Sequence, residues 1–218
     1  MRLVDVSHTV VAGMTTYPGL PGPVITDHLD REASRQVYAP GTEFHIGRIE
    51  MVANTGTYLD TPAHRYADGF DLSGLPLERV AQVPLRVVDV RGMTAIGADV
   101  LAGLDVRGRA VLLASGWDEH WGTEAYGAGG HPHLTEDAAQ ALVDGGAGIV
   151  GIDSVNIDDT STGERPAHSI LLAAGIPIVE HLRGLDGIDD VAGSTFTAVP
   201  VKVEGMGTFP VRAFVALP

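Results

Sequence analysis

Between Asn54 and His64 the chain carries an amide, a phenol, a carboxylate and an imidazole, at Asn54, Tyr58, Asp60 and His64. Gly56 and Pro62 in the same stretch suit an irregular loop rather than a helix, and such a loop can aim several polar side chains at one point. Alone, the stretch also fits a polar turn after a strand, with Asp60 capping a backbone amide and His64 at the surface. About a hundred residues downstream, Arg165 to Glu180 adds a second imidazole and a second carboxylate, His168 and Glu180.

The downstream stretch has a readable geometry. Pro166 suits a first helical turn, the Ala/Leu run after it propagates a helix, Gly175 suits the position past its end, and Ile176 to Val179 reads as a short buried strand. A helix from His168 to Gly175 descends roughly 10 Å at 1.5 Å per residue. A strand from Gly175 to Glu180 climbs back roughly 16 Å at 3.3 Å per residue. Glu180 can therefore return to the level of His168, and a carboxylate beside an imidazole is half of a metal site or an acid/base pair.

With Ser7-His8, Tyr17-Pro18-Gly19, Ala114-Ser115-Gly116-Trp117, Trp121-Gly122, His131-Pro132 and Gly151-Ile152-Asp153-Ser154, these two stretches resemble the cyclase family. That family includes bacterial kynurenine formamidases, isatin hydrolases and some polyketide cyclases, and the resemblance covers most of the chain. Formamidase-like members carry His-x-Gly-Thr-His-x-Asp-x-Pro-x-His. Its first two His and its Asp bind one metal, the Asp bridges to a second metal held by a downstream His and Glu, and the last His assists proton transfer.

Carried across position by position, the resemblance implies Asp60, His168 and Glu180 as metal ligands and His64 as acid/base. The chain departs from the motif at Asn54 and Tyr58, where the family has imidazoles. A neutral amide and a protonated phenol are poor replacements for imidazole on zinc. The expectation is at most one divalent metal, zinc or manganese, per chain. Tyr58 would then donate a hydrogen bond to a developing oxyanion, and Asn54 would do the same or hold water.

The resemblance further implies one α/β domain over residues 1–218, of layered mixed β-sheets with helices packed on one side, a swivelling β/β/α-like fold, and a homodimer or higher homo-oligomer. The implied activity is hydrolysis of an amide, lactam or related carbonyl compound by a metal-activated water. Two alternatives belong to other classes: a polyketide-type cyclase or lyase in which Tyr58, Asp60 and His64 enolise a carbonyl compound without metal, and a non-catalytic binder that keeps the pocket.

Composition narrows the partners. A formal charge of −14 argues against a nucleic acid held by phosphate contacts; a small-molecule substrate is what the resemblance implies. The chain has no cysteine, so neither disulfides nor thiolate chemistry is available. No apolar run reaches the ~18 residues of a membrane span, and the start lacks the long apolar region of a signal peptide, so the cytoplasm is expected.

The elements that must position these groups follow from periodicity. Strands are expected at 2–7, at 43–52 delivering the first motif, at 83–90, 110–113 and 148–152, and as an antiparallel pair at 195–203 and 211–217. Helices are expected at 96–104 and, capped by Thr135, up to Gly145-Gly146. The order from residue 110 to 152 predicts a right-handed parallel crossover. Residues 14–23 form an exposed loop that the resemblance places beside the pocket. In the irregular stretch 118–134, His131 and His133 read as surface residues without a metal. Asp153 reads as a ligand or a loop cap, and Trp117 and Trp121 as pocket or core.

Overall fold

Ala110–Ala114 and Ile149–Ile152 are unbroken apolar runs, as strands buried on both faces must be. In a computed structural model of the chain, which describes residues 1–188 and 191–218, they lie at the middle of a nine-stranded sheet. The strands in chain order are β1 (Arg2–Asp5), β2 (Val24–Leu29), β3 (Ile46–Glu50), β4 (Tyr58–Asp60), β5 (Val83–Asp89), β6 (Ala95–Ile96), β7 (Ala110–Ala114), β8 (His133–Leu134), β9 (Ile149–Ile152), β10 (Ile178–Glu180), β11 (Thr195–Thr197), β12 (Thr208–Pro210) and β13 (Phe214–Leu217). The α-helices are α1 (Arg31–Ser34), α2 (Glu136–Gly145) and α3 (Pro166–Ala173).

The large sheet runs β1-β13-β11-β5-β7-β9-β10-β4-β12. Its centre, β5-β7-β9-β10, is parallel, and the strands on both flanks are antiparallel. One face packs Val111, Leu113, Val150 and Ile152 against Leu142 of α2 and Leu171 of α3. On the other face the sheet curls around Leu59, Leu112, Val179, Phe196 and Val215. Each such side chain, when fully buried, stabilises the fold by about 1.5–3 kcal/mol. The result is the mixed α/β layering with helices on one side that the sequence implies, including the β7-α2-β9 crossover between parallel neighbours.

Four expectations change. The strand read at 43–52 is shorter and stands apart from the large sheet: β3 pairs with β2 in a two-stranded ribbon, nearly all of it exposed. The helix read at 96–104 is one 3-10 turn at 98–101. Thr135 starts α2 without a side-chain cap, because its Oγ donates to the Ile96 carbonyl instead. The strand read at 195–203 stops at Thr197; β11 and β13 do pair antiparallel, but between them the chain crosses to the far edge of the sheet, where β12 pairs with β4.

Candidate metal and catalytic site

β4 presents Tyr58 and Asp60 to one face and Leu59 to the core, because alternate residues of a strand share a face. Its neighbours complete the group by register. Glu180 of β10 stands opposite Tyr58, and cross-strand partners share a face, so the Tyr58 hydroxyl donates to Glu180 Oε2 at 2.6 Å. On the other side Thr208 of β12 stands opposite Asp60 and its hydroxyl donates to Asp60 Oδ1. Gly207 makes that register possible: a Cβ there would sit 2.2 Å from the backbone nitrogen of His64.

His168 comes from the first turn of α3. Asp158 caps that helix, Oδ1 accepting from the amide of Ala167 at 2.6 Å and Oδ2 from the amide of His168 at 3.0 Å. The same Oδ2 lies 2.6 Å from His168 Nδ1, which turns Nε2 towards the sheet. Gly175, at φ +70, ends the helix in the left-handed conformation glycine adopts without strain, and β10 returns. His168 Nε2 is 3.7 Å from Asp60 Oδ2 and 3.7 Å from Glu180 Oε1. The climb-back geometry read from the sequence thus has its counterpart in these distances. His64, at the end of a 3-10 turn over Pro62–His64, places Nδ1 2.7 Å from Thr208 Oγ and 3.7 Å from Asp60 Oδ1.

Asp60 is fully buried, and its Oδ2 has no hydrogen-bond donor among the described residues. A buried carboxylate oxygen left without a partner is strongly unfavourable unless a cation meets it. Two things can serve. Burial disfavours a charged His168 ring, but Glu180, the hydrogen bond to Asp158 and nearby Asp60 overcome it and push the pKa up to about 10. Alternatively a divalent cation fits, since carboxylate and imidazole donors suit zinc or manganese, and Asp60, His64 and His168 bring one ligating atom each within 4.8 Å of one another. Glu180 is also completely enclosed, and burial raises its carboxyl to about 7 against the pull of His168. Burial, then the charges of Glu180 and Asp60, raises the Tyr58 phenol well above its ordinary value and keeps it protonated.

Tyr58, His64, His168 and Glu180 line a cavity of about 320 Å³ with Asn54, Asn156, Arg65 and Arg165, a size suited to a small organic molecule. Tyr17 and Leu20, from the loop at 14–23, border it. Asn54 lies beside the Tyr58 phenol and pulls its pKa down, against burial and the two carboxylates. A larger hollow, about 730 Å³, lies between residues 11–18 and 121–127, and its lining carries a single charged residue, Glu124.

Other candidates fall elsewhere. Both oxygens of Asp153 cap Ser115 and Gly116. Trp121 stacks on His8 with centroids 3.8 Å apart. His131, read as a surface residue, is buried, with Nε2 2.9 Å from Thr160 Oγ and Nδ1 3.2 Å from Ser154 Oγ. Three residues at the site escape sequence reasoning: Asp158, Thr208 and His181. An acid shortly before a helix that starts at a proline is a capping signal, but Asp153, Asp158 and Asp159 all offered it. Thr208 depends on a sheet crossing with no local signature.

Comparison with known proteins places the chain in a family. Residues 4–159 match the family model described as Putative cyclase. The chain is 27% identical over 222 residues to a kynurenine formamidase of Bacillus cereus (strain ATCC 10987 / NRS 248), covering 97% of this chain and 96% of that one. It is 28% identical to a kynurenine formamidase of Salinibacter ruber, covering 98% and 96%. Among solved structures, an isatin hydrolase bound to the product analogue thioisatinate superposes with a TM-score of 0.82 at 22% identity, covering 99% and 92%. A predicted metal-dependent hydrolase from Bacillus stearothermophilus does so at 0.76 and 27%, covering 98% and 97%. Since the family model spans well over half its length, this chain belongs to the cyclase family.

Proposed function

We propose that the chain is a metal-dependent hydrolase of a small amide, lactam or related carbonyl compound, acting on a C–N bond other than a peptide bond. The observation that carries this reading is the buried, unpartnered Asp60 Oδ2 facing His168 Nε2, with Glu180 at the same distance from that nitrogen, beside a cavity of molecular size. We assign Asp60, His168 and Glu180 to one divalent metal, zinc or manganese. The chemistry such a metal supplies is polarisation of a carbonyl and acidification of water to near neutral pH.

The remaining roles follow from hydrogen-bond directions. The one hydrogen of the Thr208 hydroxyl is committed to Asp60, so Thr208 can only accept from His64 Nδ1. That fixes the Nδ1–H tautomer and leaves His64 Nε2 as the basic atom, able to take a proton from water and return it to the leaving nitrogen. Such a role contributes roughly 10²- to 10⁴-fold in rate. The Tyr58 hydrogen is held by Glu180, so we assign Tyr58 to that carboxylate and the amide of Asn54 to the developing oxyanion. Arg65 and Arg165 bring two positive charges to the cavity, matching the carboxylate that hydrolysis of an amide or lactam creates.

The partner in this reading is a small molecule, with a second copy of the chain as the macromolecular one. Val24, Ile25, Ile46 and Ile49 on the β2-β3 ribbon are all about half exposed, and an isolated two-stranded ribbon is marginal in water. No helix among the described residues is long and apolar enough to cross a membrane; the compartment in our reading is the cytoplasm.

The test is turnover of formanilide-type and isatin-type compounds, with the product mass followed. Addition of one water is expected, lost on exhaustive chelation and regained with zinc or manganese. Turnover that survives chelation removes the metal role, and a product of unchanged mass removes the hydrolase in favour of a lyase.

A further inference from the structure

His181 follows Glu180 at the end of β10 and is fully buried, yet its backbone sits at φ +55. That conformation is disfavoured for a non-glycine residue and persists where the surroundings demand it. In a continuing strand, residue 181 would point to the face opposite Glu180. Here its Nε2 lies 3.3 Å from the Tyr58 hydroxyl, the same hydroxyl that donates to Glu180. On its other side Nδ1 lies 2.7 Å from the Tyr126 hydroxyl.

The directions of these bonds are forced. Tyr58 gives its one hydrogen to Glu180 Oε2, so His181 Nε2 must be the donor to Tyr58. A neutral imidazole that donates at Nε2 accepts at Nδ1, so Tyr126 must donate there. Tyr126 is held in turn: Trp117 Nε1 donates to its carbonyl at 3.0 Å, and Trp121 meets its ring edge-on with centroids 4.9 Å apart. The other Glu180 oxygen accepts from the amide of Ile157 at 2.7 Å.

We propose that His181 is a positioning residue: Tyr126, His181 and Tyr58 form a one-way hydrogen-bond chain that ends on Glu180 and fixes the orientation in which that carboxylate meets His168. The proposal rests on the hydrolase reading for its metal-affinity and activity readouts, and the tautomer readout stands apart from it. It explains a strained, buried imidazole, and it gives Tyr58 a role that needs no metal bond.

The experiment compares wild type with Tyr126→Phe, which removes one oxygen atom three hydrogen bonds from Glu180 and keeps the ring, and with His181→Met and His181→Gln. In metal-free protein, ¹⁵N NMR of the imidazoles is expected to find His181 neutral and protonated at Nε2, with that preference lost in Tyr126→Phe. Affinity for zinc or manganese is expected to fall roughly 10- to 100-fold in Tyr126→Phe and His181→Met, with partial recovery in His181→Gln, whose amide can still donate to Tyr58. Turnover is expected to lose kcat while KM stays within about twofold. An Nδ1–H or charged His181 in wild type, or wild-type metal affinity in folded Tyr126→Phe, overturns the chain. The tautomer needs neither metal nor substrate: the expected tautomer without turnover keeps the chain and removes the hydrolase, and turnover with the wrong tautomer does the reverse.

Discussion

Asp60 and Asp153 both stand at the ends of buried strands, and neither is exposed at all, but their surroundings differ. Asp153 Oδ1 accepts from the amide and the hydroxyl of Ser115, at 2.8 and 2.5 Å, and Oδ2 accepts from the amide of Gly116 at 2.9 Å. Asp60 has Thr208 on one oxygen and nothing on the other. Burial is equal, so the number of donors separates the two. A carboxylate closed off by donors ties a loop to a strand, and one left open beside an imidazole and a second carboxylate is ready for a cation.

The strongest way to break this contrast is to remove each carboxylate. Asp60→Ala should lower turnover by roughly 10³-fold, the several kcal/mol a metal contributes, in a protein whose circular dichroism is unchanged. Equal activity in Asp60→Ala and wild type would erase the distinction. Next in size, His64→Ala should lose at least ~10²-fold in turnover while keeping wild-type metal affinity; a variant that loses the metal as well would move His64 among the ligands.

Asp153 sharpens the comparison through pH. Burial raises its pKa from 3.8 to about 6, against the pull of Ser115 and Gly116. The folded protein then binds the proton more tightly than the unfolded chain, so stability from this group is full below about pH 4 and is lost as pH rises through about 6. At about 1.4 kcal/mol per pH unit the loss is about 3 kcal/mol. Urea unfolding of wild type and Asp153→Asn at pH 4 and pH 7 should show it: the stability of wild type relative to the variant falls by that amount on going to pH 7. A pH-independent difference would mean that Asp153 does not titrate in this range.

A smaller effect is expected at Asp158, which resembles Asp153 in capping backbone amides and resembles Asp60 in touching the site. Asp158→Ala should weaken zinc or manganese binding roughly 10- to 100-fold through the loosened His168 ring and cost about 1 kcal/mol of stability through the helix cap. Loss of stability with unchanged metal affinity would leave Asp158 a cap and nothing more.

These contrasts also mark what could be read from the sequence. His168 and Glu180 were legible as neighbours because local geometry fixes them: a helix that starts at Pro166 and turns at Gly175, and a short strand back. Asn54, Tyr58 and His64 were joined to them by the family resemblance, since Tyr58–Asp60, read as part of an irregular loop, is a strand. The central parallel strands were legible because their apolar runs leave few other solutions. Thr208 was not, since its place depends on residues 208–210 crossing from one end of the sheet to the other, and pattern alone joined 195–203 to 211–217 as a simple pair. His181 was hidden because a left-handed residue breaks the period-two rule that predicts where side chains point. Asp158 was one of several acids in a polar loop before Pro166, and what separates it from Asp153 is that the donors to Asp153 lie 37 and 38 residues away, which no local pattern shows.

The most direct test of the open carboxylate is calorimetric titration of metal-free protein with zinc and with manganese. Wild type and Asp153→Asn should each bind one equivalent per chain, Asp60→Asn should bind none tightly, and Asn54→His with Tyr58→His should gain a second equivalent. Two equivalents in wild type, or wild-type affinity in folded Asp60→Asn, would contradict the account.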